Sequence, residues 1–216
     1  MFLGHIALGL AAKRATPRLS LGLLVIAAQL ADLLWPFLLV LGVEYVLIDP
    51  GNTALTPLDF VSYPYSHSLL MLAVWGVVLG GLCWWRTGDR RAWLVLSLLV
   101  VSHWVLDWIT HRPDMPLYPG SATYGLGLWN SIPGTLAVEF GMFAGGLAIY
   151  LRTTRPNDAI GRWGLLGLVL VLVGSYLANV VGGPPPSLTA LYGTAIVGMV
   201  LLVVWSWWAD RHRRAV

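Results

Sequence analysis

With 216 residues, 57% of them hydrophobic and 11% charged, and a mean hydropathy of +0.74, the chain is too apolar for a soluble domain of this size. The composition predicts an integral membrane protein. A net charge of +3 without a basic stripe interleaved with aromatics excludes a nucleic-acid surface, and one cysteine, Cys83, excludes an internal disulfide or a cysteine-built metal site.

Met1 to Ala12 is an apolar run interrupted by His5 and followed by Lys13, Arg14 and Arg18, the wrong charge order for a secretory signal. Crossing a bilayer takes about 20 residues, so this run reads as a half-length helix tucked against a bundle. Pro17 ends it. Leu19 to Val43 is the first predicted span, with Gln29 and Asp32 near its middle. A loop over 44–66 carries Glu44, Asp49 and Asp59, and Ser66 is the expected N-cap of a second span, His67 to Trp85. After a basic turn come a third span, Ala92 to His111, and a connector over 112–133 rich in Pro, Gly, Tyr and Trp. That aromatic, weakly polar connector is expected to fold over the mouth of the bundle. Gly134 to Leu151, Trp163 to Val181 and Leu188 to Ala209 complete six spans, the last two joined by Pro184-Pro185-Pro186. The predicted fold is an all-α bundle of six transmembrane helices plus the N-terminal half-helix, one domain over 1–216. Residues 1–152 form its ionisable core, and 153–216 supply two scaffold helices.

Twelve of the thirteen Lys and Arg residues lie at 13–18, 86–91, 152–162 and 211–214; the alternate loops hold Arg112 alone. Basic loops stay cytoplasmic, so both termini are expected in the cytoplasm of a cell inner membrane. On that topology the outer half of the bundle collects His67, Glu139 and the outer part of the third span. His5, eight residues before Lys13, lies about 12 Å above it on the helical rise.

The third span ends in Ser102-His103-Trp104-Val105-Leu106-Asp107-Trp108-Ile109-Thr110-His111. Steps of four advance about 400°, so His103, Asp107 and His111 share one helical face. Ionisable groups in hydrocarbon cost a few kcal/mol unless paired or metal-bound. Together His5, Asp32, His67, His103, Asp107, His111 and Glu139 make a nitrogen and oxygen ligand set suited to zinc, with manganese and iron less selectively matched. Two ions bridged by a carboxylate such as Asp107 can lower the pKa of water and stabilise charge on a phosphoryl group, which points to hydrolysis. Each residue also has a structural alternative. His103 and Asp107 can share a hydrogen bond inside the bundle, His67 and Glu139 can be solvated helix starts, Asp32 can pair with Gln29, and His111 can be an interfacial histidine.

The order Gly4-His5, Asp32 with Trp35-Pro36, Ser66-His67-Ser68-Leu69, and His103-x-x-x-Asp107 with Pro119-Gly120 resembles the YdjM-like inner-membrane, metal-dependent hydrolases over residues 1–152. In ligand order that family is similar to secreted zinc-dependent phospholipases C and single-strand nucleases. The resemblance implies metal ligation by His5, Asp32, His67, His103 and Asp107, with Asp32 also activating water. Two departures, a histidine only four residues after Asp107 and Thr135 where a histidine is expected before Glu139, imply one or two ions rather than three.

The expected activity is hydrolysis of a phosphoester at the outer face, with a membrane lipid or lipid-linked phosphate as substrate. Asp32 and Arg112 are the candidate catalytic groups, and Tyr65, Ser66 and Arg112 the candidate substrate contacts. Arg112 can instead pair with Asp114. The rival reading is a transporter or channel that uses the same cluster as a binding station, which predicts a polar track on to the cytoplasmic face.

Overall fold

In the computed structural model, which describes all 216 residues, the chain opens with α1 (Leu3–Ala12), the half-length helix. Ser20 then caps α2 (Leu21–Ala28), its hydroxyl accepting from the Leu23 amide at 3.2 Å. Every side of α2 is apolar and six of its eight residues are buried, as a helix without a polar face requires. It stands between two cores. Leu21 and Val25 join Leu3, Ile6 and Leu10 of α1, while Leu24, Ala27 and Ala28 pack with Leu72, Leu96 and Val100.

Gln29 interrupts the helix with φ −110° and ψ 15°, and α3 (Leu30–Val40) leaves at 59° to α2. The first predicted span is therefore a bent pair. Non-helical backbone at this depth is tolerated where other groups satisfy it, and the Ala28 carbonyl, orphaned at the end of α2, accepts from His103 Nδ1 at 2.9 Å.

Beyond α3 lies a roof. Strands β1 (Tyr45–Ile48) and β2 (Leu58–Ser62) form an antiparallel hairpin, followed by the single turn α4 (Pro64–His67). Ser68, rather than the expected Ser66, caps the next helix by accepting from the Met71 amide at 3.3 Å, because its extended backbone separates α4 from α5 (Leu69–Thr87). Helix α5 turns at Gly88, φ +71°, into α6 (Arg90–Thr110). Gly76 and Gly80 let these two helices touch: a Cβ at Gly76 would fall 2.8 Å from the Ser97 carbonyl oxygen, and one at Gly80 2.6 Å from that of Trp93.

Strands β3 (Met115–Pro116) and β4 (Thr123–Tyr124) and a 3-10 turn at Leu128–Asn130 give the connector its own structure. The Leu55 amide donates to the Trp129 carbonyl at 3.0 Å, tying the connector to the β1–β2 loop, and a third small core of Trp35, Leu39, Val46, Tyr63 and Met115 lies under both. The expectation of two loops folded over the bundle thus holds, though their short strands were not anticipated.

Helices α7 (Ile132–Thr153), α8 (Ala159–Val181) and α9 (Leu188–Arg211) complete the bundle. Five helices are long and apolar enough to cross a membrane, or six when the bent pair counts as one span. At the basic end, β5 (Thr154–Pro156) pairs with β6 (Arg213–Ala215), which ties the segment after α9 to the end of α7. Beside it sits a buried clamp. Lys13 Nζ meets Asp210 Oδ2 at 2.6 Å, the Tyr150 hydroxyl donates to Oδ1 at 2.7 Å, and the Leu21 amide donates to Oδ2 at 2.9 Å.

Candidate metal centre

Three elements deliver the centre from far apart in sequence: α1 brings His5, the start of α3 brings Asp32, and α6 brings His103 and Asp107. The turn α4 adds His67, and the end of α6 adds His111. His5 Nε2 lies 2.9 Å from Asp107 Oδ1, and His103 Nε2 lies 3.0 Å from Asp107 Oδ2. Across from them, His67 Nε2 is 3.4 Å from Asp32 Oδ1 and 3.9 Å from Asp107 Oδ2. His103 Nε2 is 3.8 Å from Asp32 Oδ2, and His111 Nε2 is 4.0 Å from Asp107 Oδ2. The α-amino group of Met1 also reaches Asp107 Oδ1.

These separations suit one shared cation. Zinc bonds of about 2.0–2.1 Å in a tetrahedron put neighbouring ligand atoms roughly 3.3 Å apart. His5, His103 and Asp107 form one such group, and Asp32, His67 and His103 a second, so His103 stands between them.

The hydrogen bonds behind the rings decide which nitrogen faces inward. His103 gives its Nδ1 hydrogen to the Ala28 carbonyl. Ser66 Oγ donates to Glu44 Oε2 at 2.6 Å, so it accepts from His67 Nδ1 at 2.7 Å. His111 Nδ1 faces Asp114 Oδ1 at 2.9 Å, and the Tyr63 hydroxyl donates to the same oxygen at 2.7 Å. All three Nε2 atoms therefore present lone pairs to carboxylate oxygens, and His103 Nε2, though buried, has no hydrogen-bond partner. Lone pair against lone pair is repulsive in a dry interior. Protonating the rings would place several imidazolium charges there, whereas a divalent ion could take its donors from His5, His103 and Asp107, or from Asp32, His67 and His103. Histidine ligands ordinarily donate their other ring hydrogen in this way.

Exposure separates Asp32 from the rest. Its side chain is 25% exposed, against 4% or less for His5, His67, His103, Asp107 and His111, so Asp32 is the member of the cluster that solvent reaches.

The remaining candidates lie elsewhere. Glu139 is in neither converging group; it accepts from the Phe2 amide at 3.0 Å and the Gly4 amide at 3.1 Å, anchoring the start of α1. Ser66 stands behind His67 rather than in front of it. The Tyr65 side chain is largely exposed, and its amide donates to Glu44 Oε1 at 2.8 Å. Arg112 pairs with Asp59 and places Nε 3.4 Å from Asp114 Oδ2, so both of its sides are engaged. Glu44 is the residue that sequence reasoning passed over. Read as one acid in a polar loop, it is 1% exposed and holds the Tyr65 and Ser66 amides. Its closeness in sequence to an apolar helix end was the only available signal.

The fold and these residues define a multi-pass helical membrane protein with a buried His/Asp cluster. The family model for the YdjM inner membrane protein matches residues 1–181, and the chain belongs to that family. The match runs beyond the expected 1–152 and takes in all of α8. No curated protein and no solved structure matches the chain.

Proposed function

We propose that the protein is a membrane-bound, divalent-metal-dependent hydrolase acting on a phosphoester, with a lipid-linked phosphate as its substrate class. The observation that carries this reading is the set of ring nitrogens and carboxylates of His5, Asp32, His67, His103 and Asp107 brought together from α1, α3, α4 and α6. His5, His103 and Asp107 would hold one ion, and because the single Nε2 lone pair of His103 can serve only one, His67 and Asp32 would border that site rather than build a second around the same ring. An ion in that donor set supplies Lewis acidity and lowers the pKa of a nearby water; zinc suits it best, ahead of manganese or iron.

The chain's own residues do the rest. Asp32, the one partly exposed carboxylate, accepts a proton from water as the water oxygen forms a bond to phosphorus and the ester P–O bond breaks. The hydrogen bonds that the imidazoles donate to Ser66, Ala28 and Asp114 fix the rings so that they need no reorganisation. Arg112 is a substrate contact only if phosphate displaces Asp59 or Asp114, and Tyr65 borders the same roof. The Lys and Arg bias of the loops supports a centre near the extracytoplasmic face, with both termini cytoplasmic.

A transporter would need a polar path from the centre to the basic end. The layer between them holds Leu24, Ala27, Leu96 and Val100, all fully buried, which favours hydrolysis.

The test pairs metal content with turnover in detergent on a panel of phosphodiesters and lipid phosphates. Wild type is expected to hydrolyse at least one, and Asp32→Asn to retain metal while losing about 100-fold or more in kcat, the usual contribution of a general base. Metal-loaded wild type inert toward every lipid phosphate would overturn the hydrolase reading.

A further inference from the structure

A second site, at the other end of the bundle, is independent of the metal centre. A cavity of about 330 Å³ opens between the end of α7 and the start of α8, with Arg155, Arg162 and Arg213 lining its rim and Leu147, Leu151 and Leu166 among its apolar lining residues. We propose that this groove binds one anionic phospholipid, its phosphate held by the three guanidinium groups and its acyl chains lying along the leucines.

The acids that might neutralise the arginines are engaged elsewhere. Asp158 accepts from the Gly161 amide at 2.9 Å and faces His212 Nδ1 at 2.6 Å. Asp210 is held by Lys13, Tyr150 and the Leu21 amide. The hydrogen bonds of Arg155 go to the carbonyls of Leu151 and Thr154, and those of Arg213 to Thr154 and the Gly161 carbonyl. All of those partners are uncharged. Burial is the main cause that lowers the Arg213 pKa; Tyr150 and Asp210 act against it and the neighbouring Arg155 charge adds to it, so an anion between Arg155 and Arg213 would ease their repulsion.

The apolar half selects a lipid over a soluble anion. Leu151 is 41% exposed and Leu166 43%, on helices long enough to span a bilayer, so these side chains meet acyl chains and not water. Trp163, 62% exposed in the first turn of α8, marks the headgroup level beside Arg162. Planar guanidinium groups bind phosphate through paired donors, and basic pockets between spans recognise anionic headgroups.

Native mass spectrometry of the full chain, with equimolar dioleoyl phosphatidylglycerol and dioleoyl phosphatidylcholine, reads the proposal directly. Wild type is expected to retain one phosphatidylglycerol in preference to phosphatidylcholine. Arg155→Ala/Arg162→Ala should lower that retention roughly 30-fold, about fivefold for each basic residue removed. Removing the same charge from the α5–α6 turn, in Arg86→Ala/Arg91→Ala, should leave retention unchanged. Leu166→Trp, which keeps every arginine but fills the groove, should displace the lipid, and it decides the matter if the double arginine variant does not fold. Equal retention of the two lipids, equal loss in both double variants, unchanged retention in Leu166→Trp, or displacement by glycerol phosphate at matched concentration would each overturn the assignment.

Discussion

Asp107→Asn is expected to empty the centre of divalent metal. Asp107 is where the donors meet: His5 Nε2 lies 2.9 Å from one oxygen, and His103 Nε2 lies 3.0 Å from the other, with His67 and His111 within 4.0 Å of it. An asparagine of the same shape offers a single neutral oxygen and turns an amide hydrogen toward the ion. Loss of a residue behind the ligands typically costs about 10–100-fold in metal affinity, so loss of this carboxylate should exceed about 100-fold. Ser66→Ala, which removes the acceptor for His67 Nδ1 together with the donor to Glu44 but no candidate ligand, should fall inside that smaller range. Metal counted by inductively coupled plasma mass spectrometry after buffer exchange gives the ordering, and wild-type metal content in Asp107→Asn would contradict it. The graded pair matters because general unfolding would empty both variants alike.

At the opposite end of the bundle, Asp210→Asn is expected to cost about 3–5 kcal/mol of stability, the usual effect of leaving one member of a buried ion pair alone. The side chains of Lys13 and Asp210 are 7% and 6% exposed, so water does little to screen the charge left behind. Asparagine can keep its one oxygen for the Leu21 amide and turn its NH2 to the Tyr150 hydroxyl, which can accept instead, so the change removes the charge while both contacts remain possible. Lys13→Met should cost a similar amount. The double variant Lys13→Met/Asp210→Asn should cost less than the two single changes together, by about 0.5–3 kcal/mol of coupling. Denaturant titration in detergent micelles, followed by circular dichroism, measures all three. Strict additivity would mean that the two charges do not sense each other.

The hydropathy of the chain was enough to locate the long helices to within a few residues, because spans are set by uninterrupted apolar length. Three features lay outside that reach. The break at Gln29 carries no proline or glycine, and its cause is a histidine 74 positions onward that takes the Ala28 carbonyl. Asp210 lies one residue past the expected last span, Leu188 to Ala209, and nothing local reveals that Lys13 will meet it. Glu139 has the residue type and depth of a ligand, yet two backbone amides of α1 claim its oxygens. The convergence of His5, Asp32, His67, His103 and Asp107 was legible for a simpler reason: each is an ionisable group in an apolar setting, and such groups must find one another.

The kink after Ala28 also restricts how the molecule can relax. Were α2 and α3 to straighten into one rod, the Ala28 oxygen would turn to the amide four residues ahead and release the imidazole of His103. That ring could then switch tautomer and withdraw its inward nitrogen from both ligand groups. Mechanical strain on the membrane that favours a longer, straighter rod would thereby loosen the grip on the cation, coupling bilayer thickness to occupancy of the centre.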